Sequence, residues 1–68
     1  MISQWYGAHK CDLCAKKNLT ELYDAKTRFG FWATLCPECF TANGLGIGPG
    51  RGQHYKRGVD GHLYKVAG

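Results

Sequence analysis

Short runs of alternating apolar and polar residues organise this chain. Leu19-Thr20-Glu21-Leu22-Tyr23 alternates loosely and predicts a strand. Phe29 to Leu35 is aromatic and rich in strand formers. It predicts a second strand, with Phe31, Ala33 and Leu35 on one face and Trp32 and Thr34 on the other. Asp24-Ala25-Lys26-Thr27-Arg28 reads as a polar turn between them, which makes a hairpin even though no Asn-Gly or Asp-Gly pair marks it. The pattern then changes. Pro37 suits a first helical position, Glu38 falls in the first turn and Asn43-Gly44 supplies a stop, so a helix of about two turns is predicted.

Beyond Asn43 glycine takes over, with eight of the ten glycines. Gly44, Gly46, Gly48, Gly50 and Gly52 fall on every second position. Extended, the segment would carry all five on one face and Leu45, Ile47, Pro49, Arg51 and Gln53 on the other. Such a bare face lets another backbone, a ring or a phosphate chain come close. A flexible linker is the alternative, although Leu45 and Ile47 replace the serines typical of one. No Gly-Lys-Ser/Thr follows, which excludes a P-loop and nucleotide hydrolysis. Gln53 to Val59 and His62 to Val66 flank Asp60-Gly61 and predict a second hairpin. Tyr55, Arg57 and Val59 then share one face, His54 and Lys56 the other, and His54 is brought toward His62. Three stretches result: 1–43, a four-cysteine finger; 44–53, a glycine-rich extended segment; and 54–68, a basic hairpin.

The cysteines carry the chemistry. Cys11-Asp12-Leu13-Cys14 and Cys36-Pro37-Glu38-Cys39 are two CxxC pairs separated by 21 residues. A tetrahedral ion such as zinc takes four thiolates at about 2.3 Å, and two such pairs joined by a hairpin supply them. The predicted cofactor is one Zn2+ held by Cys11, Cys14, Cys36 and Cys39. At 68 residues the chain is short enough to need a staple. Two disulfides would also serve. However, Met1-Ile2-Ser3-Gln4-Trp5 lacks the basic start and apolar run of a secretory leader, so a cytoplasmic, reducing setting and metal binding are expected. His9 lies two residues before Cys11, but with four cysteines present a role outside the ligand set is expected.

Knuckle, hairpin, then a helix carrying the second pair is the order of a treble-clef zinc finger. The fold class expected is therefore a small metal-stabilised α+β domain with a glycine-rich extension and a C-terminal β-hairpin. A zinc ribbon competes, but its knuckles usually place glycine after the second cysteine, where this chain has Ala15 and Phe40. Rubredoxin-type iron sites share the CxxC and CPxC pairs, with the same glycines and an acidic surface.

Charge separates the halves. Residues 1–43 hold five Lys/Arg against four acids, and four thiolates with one zinc ion bring this part to about −1. Residues 44–68 hold Arg51, Lys56, Arg57 and Lys65 against Asp60 alone, a net +3. An acidic partner should meet the chain there.

Thr27-Arg28-Phe29-Gly30-Phe31-Trp32-Ala33-Thr34-Leu35-Cys36-Pro37-Glu38-Cys39-Phe40, with Gly44-Leu45-Gly46 and Arg51-Gly52-Gln53-His54-Tyr55 beyond it, resembles small zinc-finger proteins encoded by bacteriophages. The resemblance covers roughly residues 11–55. It implies a metal site at the four cysteines, a viral setting (host cytoplasm or virion), and a candidate functional surface at Arg51, Gln53 and Tyr55. Those proteins are mostly of unassigned function.

Three function classes follow. The first is a zinc module contacting nucleic acid through Arg51, Gln53, Tyr55, Lys56, Arg57 and Lys65, with aromatics stacking on bases and cations on phosphate. The second is an adaptor or inhibitor that binds a host protein. The third is a virion component whose glycine segment threads between larger subunits. Packing of Tyr55 and Tyr64 on the finger is the structural alternative to base stacking. A four-cysteine site is closed, and no Ser/His/Asp or paired-carboxylate arrangement stands out, so neither catalysis nor a small-molecule substrate is expected. No run approaches the ~20 apolar residues of a membrane span.

Overall fold

A computed structural model describes residues 3–68; Met1 and Ile2, part of the stretch read for a leader, lie outside the described residues. The chain forms β1 (Glu21–Lys26), β2 (Trp32–Leu35), α1 (Pro37–Asn43), β3 (Gly52–Arg57) and β4 (Leu63–Ala67). The strands make one antiparallel sheet in the order β2-β1-β3-β4. This is a small α+β fold. Strands from the cysteine half and from the basic tail share that sheet, because β1 pairs with β2 on one side and with β3 on the other.

The first hairpin turns later than its polarity predicts. Asp24, Ala25 and Lys26 stay in β1, paired with Thr34, Ala33 and Trp32, and Asp24 and Ala25 also pair with Gln53 and Gly52 of β3. The turn is instead the three residues Arg28-Phe29-Gly30, closed by Thr27 N–H to Phe31 O (2.9 Å) and Gly30 N–H to Thr27 O (3.0 Å). Gly30 takes the left-handed conformation that such a loop requires at its last position. Phe31 was expected on the same strand face as Ala33 and Leu35. It precedes β2 and is exposed, while Ala33 and Leu35 are buried.

Both faces of the sheet are covered. Ala25, Ala33 and Leu35 pack with Tyr23, Leu13, Cys39 and Phe40 of α1. Leu22, Tyr55 and Leu63 pack with Cys11, Leu19 and Cys36, and Trp5 lies against them. Leu22, Leu35 and Leu63 are each at most 1% exposed. Each such burial contributes about 1.5–3 kcal/mol, so three leucines and some small residues form a modest core.

The glycine segment is not the extended ribbon its alternation suggests. Gly46, Gly48 and Gly50 all have positive φ, which folds the chain back on itself. Gly48-Pro49-Gly50-Arg51 is a tight turn closed by Arg51 N–H to Gly48 O (3.0 Å), with Gly50 at φ 75 in the position a type II turn reserves for glycine. The segment is also tied to β1: Leu45 N–H donates to Lys26 O (3.2 Å) and Lys26 N–H to Arg51 O (2.9 Å). At Gly52 a Cβ would meet Gly46 O at 2.7 Å and the Ala25 Cβ at 2.8 Å, so glycine is needed there for close approach. The C-terminal hairpin turns at Val59-Asp60-Gly61, where Asp60-Gly61 predicted it, with Gly58 N–H to His62 O at 2.7 Å.

Candidate metal centre and the surrounding surface

Local chain geometry brings the four cysteines together. Cys11 to Cys14 form a knuckle in which Ala15 N–H donates to Cys11 O (3.0 Å) and Cys11 N–H to Lys16 O (2.9 Å). Ala15 has φ 63, the left-handed conformation that glycine supplies in ribbon knuckles. The missing glycine after Cys14 therefore does not separate a treble clef from a ribbon, because alanine takes the left-handed position at a conformational cost of about 1–2 kcal/mol. The knuckle is clipped to the free edge of β2 by Asp12 N–H to Thr34 O and Thr34 N–H to Asp12 Oδ2, both 2.8 Å. Cys36 closes β2 and caps α1, its Sγ accepting from Cys39 N–H at 3.5 Å. Helix bounds and Pro37 agree with the sequence. Gly44 ends the helix for a different reason: its φ is −78, and a Cβ there would meet the Phe40 ring at 2.5 Å.

The four Sγ atoms lie within 4.8 Å of one another, and Cys14 and Cys36 are 3.6 Å apart. A tetrahedron of thiolates at about 2.3 Å from one ion has edges of about 3.8 Å. The cluster therefore fits a single ion, and the all-thiolate donor set suits zinc. When bound, such an ion supplies structural cross-linking, because four protein ligands leave no open position. Burial works against a charged Cys11. Backbone donors at Cys14, Cys36 and Leu13, with the Cys14 thiol, outweigh it and bring Cys11 down to about 6. Burial and the neighbouring sulfurs push Cys36 and Cys39 up instead. Four thiolates this close together would repel one another, and a bound dication would offset that charge.

The other sequence-predicted residues do not form one surface. Arg51 is exposed at the end of the glycine turn, with its guanidinium folded back over Gly48. Gln53 is half-buried and accepts from the Tyr55 hydroxyl (3.0 Å). Tyr55 is 6% exposed and packs on Trp5 with centroids 5.2 Å apart, so it belongs to the core and offers no free ring face for stacking. Tyr64 is half-buried and its hydroxyl donates to Asp60 Oδ2. Lys56 is exposed and lies 3.9 Å from Glu21 Oε2. Arg57 is exposed and Lys65 is half-buried. His54 pairs in register with Ala67, not His62. It stacks on Tyr23 (4.1 Å), which stacks on Phe40 (3.9 Å), and its Nε2 meets Glu21 Oε2 at 2.7 Å. Among the described residues no histidine joins a metal-binding cluster.

Two features escaped the sequence reading. A cleft of about 310 Å³ lies between the finger and the C-terminal turn, lined by His9, Asn18, Leu19, Thr20, Arg57 and Gly61. Backbone bonds from Leu19 N–H to His9 O (3.0 Å) and Arg57 N–H to Thr20 O (3.1 Å) tie its walls together. Separately, Phe29, Phe31 and Trp32 stand exposed at the first hairpin. The cleft had no sequence signal. The hairpin aromatics had one, because Arg28-Phe29-Gly30 matches a three-residue loop whose last position needs glycine.

Among the described residues no helix is long and apolar enough to cross a membrane. No protein-family model, curated protein or solved structure matches the chain. The phage-type resemblance therefore rests on the residues quoted above.

Proposed function

We propose that the protein is a non-enzymatic, zinc-stapled module of treble-clef type that binds nucleic acid. The observation that carries this reading is the cleft in which Arg57 of the basic tail meets His9, Asn18 and Thr20 of the cysteine half. All four residues are polar and line one space, and among the described residues Arg57 has no ion-pair partner. Phosphate is the ligand best matched to a guanidinium beside neutral donors. Lys56 neighbours Arg57 on β3, with its charge partly offset by Glu21 Oε2 at 3.9 Å.

The reading keeps nucleic acid as the partner and moves the point of contact. Lys56 and Arg57 remain in it, joined by residues of the finger. Tyr55 instead supports the hairpin from within the core. The phage resemblance supports a setting in the host cytoplasm or the virion, where an adaptor for a host protein and a virion component are the competing roles.

The test is fluorescence anisotropy of zinc-loaded protein with labelled single- and double-stranded oligonucleotides across a salt series. Binding that weakens steeply with salt is expected. Arg57→Gln should weaken it and reduce the log–log slope by about 0.7 on single strands, the loss of one phosphate contact. No binding at low salt would overturn the reading and favour a protein partner.

A further inference from the structure

The exposed aromatics at the first hairpin sit at the end of the sheet away from the cysteines, outside the surface just described. Phe29 is 56% exposed, Phe31 50% and Trp32 47%. Large apolar side chains gathered on a small surface mark interaction sites more often than accidents of packing. The Phe29 and Phe31 rings lie 5.9 Å apart at 19° to each other, stacked and still about half exposed.

The backbone beneath them is fixed. Thr27 is fully buried, and its hydroxyl donates to Phe31 O (2.9 Å) while accepting from Phe29 N–H (3.3 Å). Arg28 N–H donates to Asn43 O (2.8 Å), and Arg28 Nε donates to Asn43 Oδ1 (2.9 Å). This holds the hairpin against the end of α1 and places the guanidinium carbon 5.0 Å from the centre of the Phe29 ring. A rigid mount lowers the ordering cost when a partner docks on the rings.

Charge selects the partner. Between residues 25 and 37 the only charged side chains are Lys26 and Arg28, and between 43 and 52 the only one is Arg51. Aromatic faces beside cations, with no carboxylate from either segment, suit an anionic chain that carries flat rings.

We propose that Phe29 and Phe31 form a base-stacking site for single-stranded nucleic acid, with Arg28 and Lys26 neutralising the adjacent phosphates. The proposal rests on the nucleic-acid reading above and narrows it to unpaired strands. In a duplex the base faces are already stacked on each other, whereas a single strand leaves them open to aromatic side chains. Trp32 follows directly in the chain, is also exposed and pairs in register with Lys26.

The test uses the zinc-loaded full chain with a labelled single strand of about ten nucleotides, within the range that small single-strand binders cover, and with the matching duplex. The variants are Phe31→Ala, Phe31→Tyr and the double variant Phe29→Ala/Phe31→Ala, each checked by circular dichroism and melting temperature. Phe31→Ala is expected to weaken single-strand binding about tenfold without changing the salt slope, because stacking releases no counterions. Phe31→Tyr should restore most of the affinity, and the duplex should bind less tightly than the single strand. Full single-strand affinity in a folded double variant would overturn the stacking site and leave the nucleic-acid reading standing. Equal affinity for duplex and single strand would also overturn it. Failure of the unmodified protein to bind any strand would overturn both.

Discussion

The two ends of the sheet are held by different physics. At the Leu35 end, Cys11, Cys14, Cys36 and Cys39 converge from a knuckle and a helix cap into a cluster that resists being fully charged on its own. At the Trp32 end there are no cysteines. The chain is closed there by backbone hydrogen bonds to Lys26 and by the close approach of Gly52 to Ala25 and Gly46. One end gathers four sulfurs that could hold an ion, while the other relies on the absence of side chains. Each end of the sheet thus has its own closure beside the small core of Leu22, Leu35 and Leu63.

The comparison is broken most forcefully at the metal. Chelation of the ion, or Cys36→Ser, should abolish cooperative unfolding, because structural zinc contributes on the order of 10 kcal/mol at neutral pH. Far-UV circular dichroism melts with and without chelator measure this, and an apo form with an unchanged melting temperature would contradict it. Acid should act in the same direction. Without metal, burial keeps Cys36 and Cys39 protonated while Cys11 is already near its titration point at about 6. The bound ion holds all four as thiolates, so its stabilisation is fully present above the free thiol range and is lost as pH falls and protons compete. A zinc affinity that stays constant between pH 8 and pH 6 would refute this coupling.

The opposite end should break by crowding. Gly52→Ala places a methyl group against Gly46 O and Ala25, where backbone must shift, and should cost about 1–3 kcal/mol. Urea midpoints of zinc-loaded protein would register the loss, and metal affinity measured in the folded range should change far less. A smaller effect of opposite sign is expected at the knuckle. Ala15→Gly relieves a left-handed alanine and should stabilise the zinc-loaded protein by about 1 kcal/mol. An unchanged or lower urea midpoint would mean that Ala15 is not strained in solution.

Local chemistry made parts of this fold legible. The cysteine spacing, the Pro37–Asn43 helix and the Asp60-Gly61 turn each depend on a few neighbouring residues, and each is found where expected. Non-local pairing hid the rest. Asp24 and Lys26 looked like turn residues, but β3 lies beside β1 and extends it through both. The glycine alternation matched the period of a strand, yet period alone does not distinguish extended glycines from glycines at positive φ. In β3, alternation fixed which residues share a face without saying which face is buried, and the register shift between His54 and Tyr55 altered the pairing beyond it. Tyr55 consequently read as surface and proved to be core. Phe31 was read as part of the second strand, on the face of Ala33 and Leu35, but it precedes β2 and is exposed.

The central claim is that a stapled end and an aromatic, cationic end divide stability from recognition. The most direct measurement is a 15N–1H correlation spectrum of zinc-loaded protein titrated with a single-stranded oligonucleotide of about ten residues. The account predicts shifts at Arg28 to Trp32 and at Asn18, Thr20 and Arg57, with the amides of Leu22, Leu35 and Cys36 nearly unmoved. Shifts centred on the cysteine amides, or none at any strand concentration, would contradict it.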